Sequence, residues 1–484
     1  MTAYNVLFIM SDQHQQKAAG CYGHPFVKTP NIDALAARGT RFSTAYTNSP
    51  ICVPARAVIA TGRNVFESGY WDNVHAYDGR VKSWHHILAE NGLGATSIGK
   101  LHFRDAQDPT GFEEQIVPLH IVNGVGDLRA AVKRPMAPPY TRWRGLERLG
   151  PGESPYTQYD ADITERTCAW IKARADRADD KPWVAFASLV CPHPPYSAPQ
   201  EYYDLYPTSD LPKPKLIDPE APMHPWMRKL QRCRNFDDFV DEGTRYRIMA
   251  NYYGCTTYMD ANLGRVIDCL DACGLRENTL IVYTSDHGEN LGSRRIWGKM
   301  NMYEESAAIP MIVAGPDVPE GKVRHTAVTL ADVAPTVLET VGLRAIADAE
   351  GLPGRSLRDI AGADDDPDRP AFSEYYASGA DRAAFMIRMG RFKYIHYVGY
   401  EPELFDLEAD PEELSSLHDD PAHRETRDAY KKILRGIVDP EDTDARAYAD
   451  QCALVEQHGG RDALIDRGSF QGTPAPGEKP VFVT

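Results

Sequence analysis

Asn5-Val6-Leu7-Phe8-Ile9-Met10, closed by Ser11-Asp12-Gln13, is the stretch that sets the fold. It is short, continuous and apolar, without the alternation of a half-exposed strand, which predicts a strand covered on both faces inside a parallel sheet. Its carboxyl end delivers a carboxylate, Asp12. Ligands of open α/β sheets bind in the crevice beyond the carboxyl ends of strands, so Asp12 occupies a position where chemistry is expected.

Outward from that strand, helix and strand signals alternate. Asn31 to Gly39 (NIDALAARG) predicts a short helix stopped by glycine, and Trp84 to Gly92 (WHHILAENG) repeats the pattern ahead of a strand-like ATSIG at 95–99. Trp183 to Val190 (WVAFASLV) and Thr279 to Thr284 (TLIVYT) predict further buried strands, the second following a helical run from Tyr246 to Cys273. The expected fold class is α/β, with a large, mostly parallel mixed sheet sandwiched by helices. Dense proline and charge over 129–155 and 206–226 predict long surface loops that shape a substrate entrance. GADDDPDRP at 362–370 predicts a linker, after which AFMIRMGRFKYIHY and ELFDLEADP predict antiparallel strands. Residues 1–365 are expected to form the catalytic α/β domain, and 366–484 a smaller C-terminal subdomain with an antiparallel sheet, a helix and an extended tail. That tail, Arg461 to Thr484, is expected to be able to reach a neighbouring subunit in a homo-oligomer.

Bulk properties narrow the function. The 484 residues exceed what one hydrophobic core organises, and 42% apolar with 25% charged residues excludes a disordered or fibrous chain. A net charge of −16 repels nucleic acid and anionic membranes, so an anionic substrate would need a local cluster of cations. The opening MTAYNVLFIMSDQ has no basic region ahead of a long apolar stretch, and no run elsewhere is long enough to span a bilayer, which predicts a cytoplasmic protein with no membrane partner. Nine scattered cysteines without the paired spacing of zinc sites predict mostly buried thiols and no disulfide framework.

One cysteine stands apart. Cys52-Val53-Pro54-Ala55-Arg56, followed by Thr61-Gly62-Arg63, resembles the signature of type I sulfatases, in which a maturation enzyme oxidises the cysteine to formylglycine. Without that resemblance, Cys52 reads as a buried cysteine at a helix start. Further segments fall in the family's order: Asp12-Gln13, Gly99-Lys100-Leu101-His102, His193 in CPHPPY, Ser285-Asp286-His287-Gly288 and Trp297-Gly298-Lys299. The resemblance spans nearly the whole chain and points to the branch of choline sulfatases and phosphonate monoester hydrolases in the alkaline phosphatase superfamily.

The resemblance implies a division of labour. Asp12, Gln13, Asp286 and His287, with residue 52 itself, would hold one divalent cation; oxygen donors suit calcium, and the histidine admits manganese. Formylglycine from Cys52 would attack a sulfate ester through a covalent sulfo-enzyme intermediate, with Arg56 and Lys100 stabilising it and His102 acting as the base that expels sulfate. His193 and Lys299 would hold the sulfate and protonate the leaving oxygen, and Asn73 would lie near the sulfate. The departures at Gln13 and His287, where the family often has an acidic residue and asparagine, pull toward phosphonate monoester or phosphodiester hydrolysis, while Lys100 and His102 favour sulfate. A non-catalytic anion-binding relative is the third reading. Asp332, ahead of Val333-Ala334-Pro335, reads as a helix cap. The expected partners are a small anionic sulfate ester and a formylglycine-generating enzyme.

Overall fold

The computed structural model describes residues 3–177 and 181–483. Among these, fourteen strands form three sheets. The chain-order strands are β1 (Asn5–Asp12), β2 (Thr40–Phe42), β3 (Ala45–Tyr46), β4 (Ala95–Lys100), β5 (Glu114–Leu119), β6 (Val184–Pro192), β7 (Thr279–Ser285), β8 (Met311–Ala314), β9 (Lys322–Arg324) and β10 (Val328–Thr329). The C-terminal region adds β11 (Ala371–Tyr375), β12 (Ala384–Met389), β13 (Phe392–Tyr397) and β14 (Glu403–Asp406). The main sheet has the order β5-β4-β6-β1-β7-β8-β2-β9, β3 pairs with β10, and the last four strands form an antiparallel sheet.

β1 lies inside the main sheet, parallel to β6 on one side and to β7 on the other, with Val6 opposite both Val184 and Leu280. Parallel pairing continues through β4 to β5, whereas β8 runs antiparallel to both β7 and β2, so the sheet is mixed as expected. The unbroken apolar run of β1 is explained by its two covered faces. Val6, Phe8 and Met10 join a core with Ala55, Val58, Leu88 and Val337, while Leu7 and Ile9 join another with Leu35, Ile163, Leu263 and Leu270. Each such side chain contributes about 1.5–3 kcal/mol on burial.

Helices Pro155–Ala175 and Glu242–Ala272 cover the second face, and Cys52–Thr61, Trp84–Glu90 and Val333–Thr340 the first. Asp332 accepts from Thr329 N in a capping box and pairs with Arg369. Residues 363–370 form no helix or strand, yet they are held to the main body by Asp365, which accepts from the backbone of His325 and Thr326.

Three expectations are corrected. Only Cys52, Cys191 and Cys255 of the nine cysteines are buried; the other six are partly exposed, because they lie on helix flanks and loops. The stretch 129–155 is not purely surface: Arg129, Tyr140 and Trp143 are buried, Arg129 lying over the Tyr140 ring and Tyr140 and Trp143 each stacking on Phe236. The tail is not extended from Arg461, since helix Gly460–Arg467 occupies its start, and the following residues fold back on the same chain. No helix among the described residues is long and apolar enough to cross a membrane.

Candidate active site

Parallel pairing of β1 with β7 sets Ser11 opposite Ser285, so Asp12 and the residues after Ser285 emerge side by side at one sheet edge. Helix Cys52–Thr61 starts against that edge, and its first residue is Cys52. Donor atoms of Asp12, Cys52, Asp286 and His287 all lie within 4.8 Å of one another, and all four residues are buried. The Cys52 Sγ is 3.1 Å from His287 Nε2 and 3.8 Å from Asp12 Oδ1. A helix N-terminus also favours negative charge on a side chain placed there.

Two carboxylates this close need a cation between them. Arg56, one turn along the helix, donates from Nη2 to Asp12 Oδ2 at 2.9 Å and from Nε to Asp286 Oδ2 at 3.0 Å. Its Nη1 donates to Lys100 O at 2.6 Å and Ser188 Oγ at 3.0 Å, tying the ends of β4 and β6 into the same corner. Lys100 Nζ sits 2.7 Å from Asp12 Oδ2. The outer oxygens of both carboxylates are thus occupied, and their Oδ1 atoms face Cys52 and His287. Burial would raise the Asp12 carboxyl, but the Lys100 ammonium and then other nearby charges, Arg56 among them, hold it well below the usual range. Burial and the Asp12 charge push Asp286 up to about 6.

The remaining donors are oriented by backbone contacts. His287 Nδ1 donates to Gly288 O at 3.0 Å, which leaves Nε2 as the lone-pair nitrogen facing the cluster, and burial lowers this imidazole to about 4. The Gln13 amide nitrogen donates to Glu289, so its carbonyl oxygen turns the other way and accepts from Lys299 Nζ. Glu289 also accepts from Gly298 N at 2.7 Å, which fixes the loop bearing Lys299. Gln13 and His102 hold positive φ of 69° and 57°, a conformation that costs non-glycine residues free energy and gathers at functional sites. Two carboxylate oxygens, an imidazole nitrogen and the residue 52 side chain, all within 4.8 Å of one another, could hold a divalent cation.

Cys52 opens onto a cavity of ≈ 100 Å³ lined also by Asn73, His102, His193 and Lys299. An outer chamber of ≈ 350 Å³ adjoins it, walled by Trp143, Tyr156, Tyr196, Trp297 and the tail. His193 Nδ1 donates to Pro194 O at 2.7 Å, leaving Nε2 without a hydrogen bond among the described residues, and burial together with the Lys299 charge holds this ring well below its ordinary range. Burial and Lys100 do the same to His102, whose Nε2 is 2.8 Å from Thr473 Oγ1. Asn73 Oδ1 accepts from Val53 N at 3.1 Å and so caps the helix that carries Cys52.

All eleven residues singled out in the sequence therefore meet in or beside one cavity. The hydrogen bonds of Arg56 go to the carboxylates and to β4 and β6, and Gln13 pairs with Lys299. Sequence reasoning missed Ser188, Glu289, Asp127, Arg234 and Thr473, none of which sits in a short motif. Only Glu289, two residues beyond His287, carried a local signal.

A sequence profile described as Sulfatase matches residues 4–343, and one described as N-sulphoglucosamine sulphohydrolase, C-terminal, matches 292–439. The choline-sulfatase of Rhizobium meliloti (strain 1021) is 30% identical over 464 residues, covering 92% of this chain and 89% of that protein. Arylsulfatase K of Bos taurus is 29% identical, over 86% of this chain and 78% of that protein. The crystal structure of the phosphonate monoester hydrolase of Agrobacterium radiobacter superposes with a TM-score of 0.70 at 23% identity, covering 90% of this chain and 95% of that one. The fold is the α/β sulfatase fold, a mostly parallel mixed sheet flanked by helices with a small antiparallel sheet towards the C-terminus. The chain belongs to the sulfatase family, the hydrolases of sulfuric esters.

Proposed function

We propose that the protein hydrolyses sulfate monoesters with residue 52, oxidised from cysteine to formylglycine by a separate maturation enzyme, as its nucleophile. The observation that carries this reading is the convergence of Asp12, Cys52, Asp286 and His287 donor atoms within 4.8 Å. Asp12 and Asp286 through Oδ1, His287 through Nε2 and Gln13 through its carbonyl oxygen would hold one divalent cation, calcium first and manganese second. When bound, the cation supplies Lewis acidity to the sulfate oxygen and to the hydrated aldehyde of residue 52.

The protein's own groups do the rest. Arg56 and Lys100 balance the two carboxylates, which leaves the cation's charge to face an anionic ester. Residue 52 attacks sulfur in line with the leaving alkoxide. Lys299, hydrogen-bonded to a neutral amide and not to a carboxylate, gives its proton to the leaving oxygen. His193 Nε2 takes up a proton as the anionic ester arrives and holds a sulfate oxygen. Asn73 keeps the attacking residue's helix in place through Val53 N. His102, neutral at pH 7, receives the proton of the second hydroxyl as sulfate departs. Phosphodiesters and phosphonate monoesters share the in-line geometry and are expected as slower substrates.

The test is Cys52→Ala. Turnover of an aryl sulfate is expected to fall to background while the far-ultraviolet dichroism and metal-stabilised melting transition persist; wild-type turnover in this variant would overturn the assignment.

A further inference from the structure

Lys299 and His193 provide for one anionic group in the cavity, yet the same cavity holds another cation. Arg234 ends helix Pro225–Arg234 and lines both the cleft with Cys52 and the outer chamber. Among the described residues, its hydrogen bond runs from Nη1 to Tyr140 Oη at 3.3 Å, and Nε is buried without a partner. No carboxylate lies within ion-pairing distance of it among the described residues.

The guanidinium is nevertheless held firmly. Its carbon lies 4.7 Å from the ring centre of Phe236 and 5.4 Å from that of Tyr140, and Phe236 stacks on Trp143 at 4.8 Å. Rings that take the faces of a guanidinium leave its N–H edge for a ligand, in the fork geometry that matches a carboxylate or sulfate. The one carboxylate lining the cleft, Asp127, is a weak counter-ion: burial drives it toward its neutral form, and one of its oxygens is taken by Ser469 Oγ. Arg234 is half-buried with no carboxylate in ion-pairing distance among the described residues, so an arriving anion would supply the counter-charge it lacks.

We propose that Arg234 binds a second anionic group, a carboxylate or a further sulfate, on the alcohol half of the substrate. The inference rests on the sulfate-ester reading and narrows it to esters of acidic or multiply sulfated alcohols. A cationic alcohol is disfavoured twice over. It would meet Arg234 with like charge, and two of the aromatic faces lining the cavities are already taken by arginines, Tyr140 by Arg129 and Trp297 by Arg245.

The experiment compares phenyl sulfate, 3-carboxyphenyl sulfate, resorcinol bis-sulfate and choline sulfate as substrates of the wild type, Arg234→Gln and Arg234→Lys. The wild type is expected to favour the carboxylated or bis-sulfated ester over phenyl sulfate by about tenfold or more in kcat/KM, chiefly through KM, and to turn over choline sulfate slowest. Arg234→Gln is expected to erase that preference, a loss of about 10- to 100-fold for a charge-assisted fork, and Arg234→Lys to retain part of it. The faster of the two anionic esters identifies whether carboxylate or sulfate is the group bound. Equal rates on charged and neutral esters, a preference unchanged in Arg234→Gln, or choline sulfate leading would each overturn the proposal. Calorimetric binding of 3-hydroxybenzoate, the product acid, supplies a readout that does not depend on oxidation of residue 52. Equal affinity for wild type and Arg234→Gln would refute the subsite, whereas failure of the wild type on every ester with binding intact would refute the sulfatase reading alone.

Discussion

At Arg56 one guanidinium holds two buried carboxylates that would otherwise repel each other. Because Arg56 and both partners are almost fully enclosed, removing it strands charge in the interior, and breaking such a pair costs about 3–5 kcal/mol. Arg56→Met is expected to lower the unfolding free energy obtained from urea titration by that amount in chelator-treated protein and by less when a divalent cation is supplied, since the ion takes over part of the neutralisation. A loss equal with and without cation would show that the ion does not sit between Asp12 and Asp286. Residues of this kind are legible in the sequence, because Cys52, Lys100, His102 and Asp286 stand in short segments at strand ends or helix starts. Arg234, Asp127 and Thr473 are not, because their meaning lies in what the fold sets beside them: Arg234 is one basic residue among several on helix Pro225–Arg234. Gln13 fell between, visible as a departure from the family pattern but interpretable only with Glu289 and Lys299 beside it.

Among the elements, β6 shows how a helix controls a strand end. Asp160, inside helix Pro155–Ala175, accepts from Val190 N at 2.7 Å and Cys191 N at 2.8 Å, just before the chain turns out to His193. Two enclosed N–H groups depend on this one side chain. Asp160→Ala would leave both unsatisfied, at about 1–3 kcal/mol each, and would free the segment that carries His193. The expected result is a lower melting temperature together with a raised KM for the sulfate ester; an unaltered KM would mean that Asp160 serves stability alone. Strands such as β1 and β7 were readable because two-sided burial writes itself as uninterrupted apolar sequence. The eight-strand order was not, since β8 and β2 are short and their antiparallel pairing is fixed only by contacts distant in sequence.

For the molecule as a whole, the net charge of −16 is met at the cleft by a local excess of cations, Lys299 and Arg234 against Asp127. The tail completes the enclosure: Phe470, Gln471 and Thr473 line the cleft, Thr473 touches His102, and Arg144 donates to Phe470 O. Deleting residues 468–484 is expected to lower kcat/KM by about tenfold or more through loosened positioning, with metal content unchanged because no hydrogen bond or ion pair joins the described part of the tail to Asp12, Asp286 or His287. Wild-type kcat/KM in the shortened protein would show that the tail is dispensable to catalysis.

Cys52 is 1% exposed and begins a helix in which every one of ten residues is buried. No second protein can grip that thiol once the helix has docked. If residue 52 is oxidised by a second protein, as proposed, that step would have to precede the docking of this helix, and molecules that fold first would be well formed but inert.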